Sequence, residues 1–161
     1  MDVVVQGIVL REVVQVKSEI TWQGQMEFSG GPEGYSTTVD AARPLGQGKA
    51  MNPKQMLLVS ICGCTGMDVV ALMKKHKQPL EMFAVSAESE LTDGYPKIFK
   101  EVLVRYTATG AVEPAKLVEA ADLSMNKYCG VSAMIAKACP IRYEIVLNNE
   151  TIKTAVAHFE E

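Results

Sequence analysis

Between Met56 and Met73 apolar residues occupy nearly every helical face, whereas the segments on either side alternate apolar and polar at the period of a strand. Asn52 suits an N-cap, and Pro53 suits the first helical position, where its missing N–H has no intrahelical partner to lose. Lys74, Lys75, His76 and Lys77 complement the negative end of the helix dipole, and Pro79 prevents continuation. The pattern predicts a helix from Pro53 to about His76 that is covered on both sides. Ser60, Gly63, Thr65, Gly66 and Asp68 interrupt the apolar run, and an aspartate there is expensive in lipid, so a buried soluble helix is expected rather than a membrane span.

From Val3 to Val16, and through "ITWQGQMEFSGG" and "GYSTTVDAA", valine-rich and alternating stretches punctuated by glycine predict an antiparallel meander. Residues 42–53 read as a loop. After the helix, "MFAVSAESEL" and "KIFKEVLVRYTATG" flank "TDGYP", where Asp93-Gly94 supplies a turn for a strand pair. A second helix is expected from Pro114 with Glu113 as its cap, broken at Tyr128-Cys129-Gly130. "VSAMIAKAC" then gives a short helix ended by Pro140, and "IRYEIVL" a closing strand. Strands, a central helix, a hairpin, helices and a strand make an α+β chain, expected to form a single domain over residues 1–161.

The 161 residues carry a net charge of −3 with 48% hydrophobic and 22% charged residues, which gives no electrostatic reason to expect nucleic acid or an anionic membrane as partner. The N-terminus shows no export signal, so a cytoplasmic location and reduced thiols are expected for Cys62, Cys64, Cys129 and Cys139.

Two apart on a helix, Cys62 and Cys64 point about 200° away from each other, unsuited to a shared metal or an unstrained disulfide. His76 and His158 stand in no zinc-like spacing with them, and neither a metal nor a cofactor is expected. Cys129 is different, lying at a helix break beside Gly130, where backbone N–H groups favour a thiolate. Spacing alone leaves both packing and reactivity open for each thiol, with packing the commoner fate.

"NPKQMLLVSICGCTGMDVV", followed later by "YCGVSAM", resembles the OsmC/Ohr superfamily, named for osmotically inducible protein C and organic hydroperoxide resistance protein. There an Asn-Pro or Ser-Pro opens a central helix, the peroxidatic cysteine follows at the Pro53-to-Cys64 spacing, and a resolving cysteine stands in a motif similar to Cys129-Gly130-Val131-Ser132. The resemblance implies an OsmC-like fold, with antiparallel sheets packed around a long buried central helix in an intertwined homodimer. The glycines at 63 and 66 likewise suggest a second helix as close neighbour.

By the same resemblance, Cys64 attacks an organic hydroperoxide as a thiolate and becomes a sulfenic acid, and Cys129 condenses with it to a Cys64–Cys129 disulfide. An external dithiol, in the family typically a lipoyl-bearing protein, restores the pair. An arginine over the sulfur is needed to offset burial, and Arg43 in "DAARPLG" is the match, with Arg11, Arg105 and Arg142 less well placed. The family's glutamate partner of that arginine is replaced by Gln55, a neutral acceptor. Cys62 and Cys139 are expected to be structural, His76 a surface residue, and Met56, Met67, Met73, Met125 and Met134 core filler. Two function classes follow: a thiol-dependent peroxidase for oxidative-stress defence, or a non-enzymatic relative that binds a small hydrophobic ligand or senses oxidants.

Overall fold

The computed structural model describes residues 3–5, 8–10 and 15–159. Residues 11–14, part of the predicted meander and including Arg11, lie outside them. The chain forms two compact units that divide at Pro53.

In the first unit, β1 (Val3–Val5) and β2 (Ile8–Leu10) pair antiparallel. A three-stranded antiparallel sheet follows in the order β3 (Glu19–Gly24), β4 (Glu27–Gly31), β5 (Thr37–Val39). The meander is thus present over the described residues. Its β3–β4 turn uses Gly24 and Gln25, both at positive φ, with the Trp22 indole N–H donating to the Gln25 carbonyl at 2.9 Å. The loop after β5 is organised by Asp40, nearly inaccessible to solvent, whose Oδ2 accepts the N–H groups of Gln47 and Lys49, each at 3.1 Å.

The second unit opens with α1 (Pro53–Lys75), bounded as its sequence signals require. Its C-terminus closes in a Schellman motif: Lys77 N–H reaches the Lys74 carbonyl at 3.0 Å, and Gln78 N–H reaches the Met73 carbonyl at 2.9 Å. Lys77 occupies the left-handed position at φ 54°, where glycine is usual. Ile61, Thr65, Val69 and Met73, four apart, form the buried stripe of the helix. The second unit by itself therefore covers one side of α1, and on the opposite face Val59 and Met67 are 56% and 71% exposed.

That stripe meets a four-stranded sheet in the order β6 (Met82–Glu88), β7 (Val102–Thr109), β8 (Ile141–Leu147), β9 (Glu150–Val156). The β6–β7 pair is the predicted hairpin, extended by a bridge between Leu91 and Phe99. The sheet is mixed rather than wholly antiparallel, because β7 and β8 run parallel. Parallel neighbours need a crossover, and here it is built from α2 (Pro114–Leu123), a π-turn (Ser124–Tyr128) and α3 (Gly130–Ala136). "IRYEIVL" does not close the chain. Asn148 and Asn149, at φ 51° and 69°, make a hairpin turn into β9.

The core beneath α1 contains Met73, Val104, Tyr106, Leu117, Met125, Tyr143 and Ile145, and Cys139 joins it as expected. Glu113 does not cap α2 with its side chain. Its carboxylate accepts from the Gln78 amide at 3.2 Å, while its own N–H donates to Gln78 Oε1 at 2.8 Å. His76 is half-buried rather than on the surface, with Nε2 3.9 Å from Glu119 Oε2. Of the predicted filler methionines, Met73 and Met125 are buried, whereas Met67 and Met134 are exposed.

Candidate active site

Cys64 and Cys129 are brought together. Cys64 sits in mid-α1, and Cys129, 1% exposed, lies between the π-turn and α3. Its extended backbone, φ −71° and ψ 102°, makes Cys129 the N-cap of α3, and its sulfur accepts the Ser132 N–H at 3.3 Å and the Ser132 hydroxyl at 3.0 Å. Burial, and then a hydrogen bond to Cys64, push the Cys129 thiol up to about 11 despite those Ser132 donors. All four cysteines are free thiols.

Beside the pair runs a buried polar chain. Tyr106, Thr65 and Ser124 are fully buried, with the Thr65 hydroxyl bonded to the Tyr106 hydroxyl and, at 2.8 Å, to the Ser124 hydroxyl. Ser124 Oγ donates to Asp68 Oδ2 at 2.8 Å. Burial raises the Tyr106 phenol well above the ordinary range, and the neighbouring Cys129, Tyr143 and Asp68 add to the rise. Sequence reasoning did not assign these residues to the site. The available signal was the presence of Thr65 and Asp68 within an otherwise apolar helix.

Cys62 faces elsewhere, lining a groove of about 650 Å³ along α1 with Val59, Gly66, Met67, Phe83 and Val85. Burial raises its thiol. A second apolar cavity, about 340 Å³, lies between Leu57, Ile98, Phe99, Met134 and Cys139, with Lys54 and Lys97 also in its lining. Gln55 occupies the exposed first turn of α1. Arg43 belongs to the first unit, on an exposed loop, where its Nε donates to the Gln47 carbonyl at 3.3 Å. Arg105 and Arg142 are committed to Glu144 and Glu101, at 2.9 and 3.3 Å. Among the described residues no cluster of His, Cys, Asp and Glu is arranged to hold a metal ion.

Residues 46–144 match the family model for OsmC-like protein. Protein YhfA of Escherichia coli K12 is 35% identical over 101 residues, which span 61% of this chain and 75% of YhfA. The crystal structure of a hypothetical protein from Aquifex aeolicus VF5 superposes with a TM-score of 0.72 at 29% identity, covering 84% of this chain and 99% of that one. A Legionella pneumophila organic hydroperoxide resistance protein OsmC shares the fold at a TM-score of 0.65 and 18% identity, over 84% of this chain and 99% of that one. With a matched segment that runs from the loop before α1 through both cysteine motifs to β8, this chain belongs to the OsmC-like protein family.

Proposed function

We propose that the protein is a thiol-dependent peroxidase that reduces organic hydroperoxides as a defence against oxidative stress. The observation that carries this reading is the juxtaposition of the two thiols, with Cys129 held at the N-cap of α3 within hydrogen-bonding reach of Cys64 in mid-α1. Cys64, as thiolate, attacks the terminal peroxide oxygen; the O–O bond breaks, an S–O bond forms, and the alkoxide takes a proton and leaves as alcohol. Cys129 then displaces hydroxide from the Cys64 sulfenic acid and forms the disulfide, which an external dithiol, such as a lipoyl-bearing protein, reduces. A resolving thiol beside the sulfenic acid guards against over-oxidation. The Legionella relative's description as an organic hydroperoxide resistance protein supports the substrate class. This reading assigns thiolate stabilisation to Arg43, with Gln55 as a tolerated replacement for a carboxylate.

The same reading takes the protein as a cytoplasmic homodimer. Exposed apolar residues along α1, Val59 and Met67 among them, support self-association, which sedimentation velocity tests.

The test is one equivalent of cumene hydroperoxide added to the reduced protein, followed by peptide mass spectrometry. A Cys64–Cys129 disulfide forms within seconds, and Cys64→Ser consumes no peroxide. A second reading, a non-enzymatic member that binds a small hydrophobic ligand, is favoured by the apolar cavity at Leu57 and Met134. It gains ground if peroxide persists while all four thiols stay free.

A further inference from the structure

The hydroxyl chain beside the thiols has no part in the reaction as written above, yet its direction is fixed. Each hydroxyl carries one proton, and that of Ser124 is committed to the Asp68 carboxylate at 2.8 Å. Thr65 must therefore donate to Ser124, and Tyr106 to Thr65, so that all three buried hydroxyls are ordered from a single carboxylate.

Ser124 has a second task. Its backbone carbonyl accepts the Cys129 N–H at 2.9 Å, the five-residue bond that makes the π-turn. The same residue is thus held by Asp68 through its side chain and holds Cys129 through its main chain. Asp68 in turn lies four residues after Cys64 on α1, which sets the two side chains on one helical face a turn apart. One carboxylate therefore ties the helix that carries Cys64 to the turn that carries Cys129.

Resting on the peroxidase reading, we propose that Asp68 is a positioning residue for the second chemical step: it anchors Ser124, Ser124 fixes the π-turn, and the π-turn presents the Cys129 sulfur to Cys64. In that step the Cys129 sulfur attacks the sulfenic sulfur, an S–S bond forms as the S–O bond breaks, and the departing hydroxide takes the Cys129 proton as water. A reaction that needs sulfur to approach along the S–O axis is sensitive to the placement of the turn, whereas attack of Cys64 on a freely diffusing peroxide is much less so.

Asp68→Asn keeps the shape and removes the charge. Ser124→Ala removes the link with little change in volume, and serves if the first variant folds poorly. Each full-length protein, checked for an unchanged circular dichroism spectrum, is oxidised with cumene hydroperoxide. Cys64 sulfenate is trapped with dimedone, and the disulfide is timed by mass spectrometry. Closure slows about 10-fold in both variants relative to sulfenate formation, as expected for loss of a hydrogen bond to a charged group. Excess peroxide then converts more Cys64 to the sulfinic acid, Asp68→Glu restores part of the rate, and the double variant is no slower than Ser124→Ala. Wild-type closure rates in the folded variants, or multiplicative losses in the double variant, overturn the proposal. If the wild type forms no sulfenate, it is the peroxidase reading that falls. Disulfide closure driven by diamide then decides the positioning role, since equal rates in the three proteins reject it and slower closure in both variants upholds it.

Discussion

Cys129 neighbours Cys64 and accepts hydrogen bonds from the Ser132 backbone N–H and hydroxyl, so its sulfur sits beside the centre of α1 at the first turn of α3. The placement comes from a helix cap, which fixes the cysteine backbone as well as its side chain.

Alkaline stability is expected to depend on this thiol. The folded protein holds the Cys129 proton up to about 11, against an ordinary value of 9.0, so between those values the native state binds more protons than the unfolded chain. Stability is then fully present below pH 9 and falls as pH rises through 11. Cys129→Ser, which cannot titrate there, shows a shallower loss over that window in urea unfolding at stepped pH. Tyr143, pushed up to about 12 by burial and by its bond to Asp122, accounts for a later loss.

Thr65→Val preserves shape but removes the hydroxyl that joins Tyr106 to Ser124. Two buried hydroxyls lose a partner, and the unfolding free energy is expected to drop by about 1–3 kcal/mol, measured by chemical denaturation.

The left-handed lysine after α1 costs stability that glycine does not. Lys77→Gly should stabilise the second unit by up to about 1 kcal/mol, once the greater freedom of glycine in the unfolded chain is deducted. A rise in melting temperature is the readout.

Gly46→Ala probes the Arg43 loop. A Cβ there would overlap the Ala41 carbonyl oxygen and Asp40 Oδ1, the carboxylate around which the loop is wound. Destabilisation of about 2 kcal/mol or more is expected in calorimetry. If Arg43 serves Cys64, peroxide consumption falls in parallel with that of Arg43→Ala.

Much of this was legible in residue order. Pro53 and the lysines near Pro79 mark both ends of α1, and the Cys129-Gly130 break marks the start of α3, because capping and breaking are local effects written in adjacent residues. Pairing between distant segments is not local, so the parallel β7–β8 ladder escaped notice. The turn at Asn148-Asn149, by contrast, carried a readable signal in two residues tolerant of positive φ. The Ser124 link to Asp68 was invisible for the same reason as the ladder: a serine in a helical stretch looks solvated until the fold supplies a carboxylate. The exposed face of α1 shows the opposite limit. Its apolar residues announce cover that the second unit by itself does not provide.

The crossover between the parallel strands also sets what oxidation does to the chain as a polymer. Cys64 precedes β6 and Cys129 lies on the connection from β7 to β8, so a bond between them turns β6, β7 and α2 into a closed ring. A ring of that length removes about 4 kcal/mol of freedom from the unfolded chain. A protein oxidised at this pair is therefore the harder one to unravel, and under the peroxidase reading each turnover would loosen and retighten the segment between the two thiols.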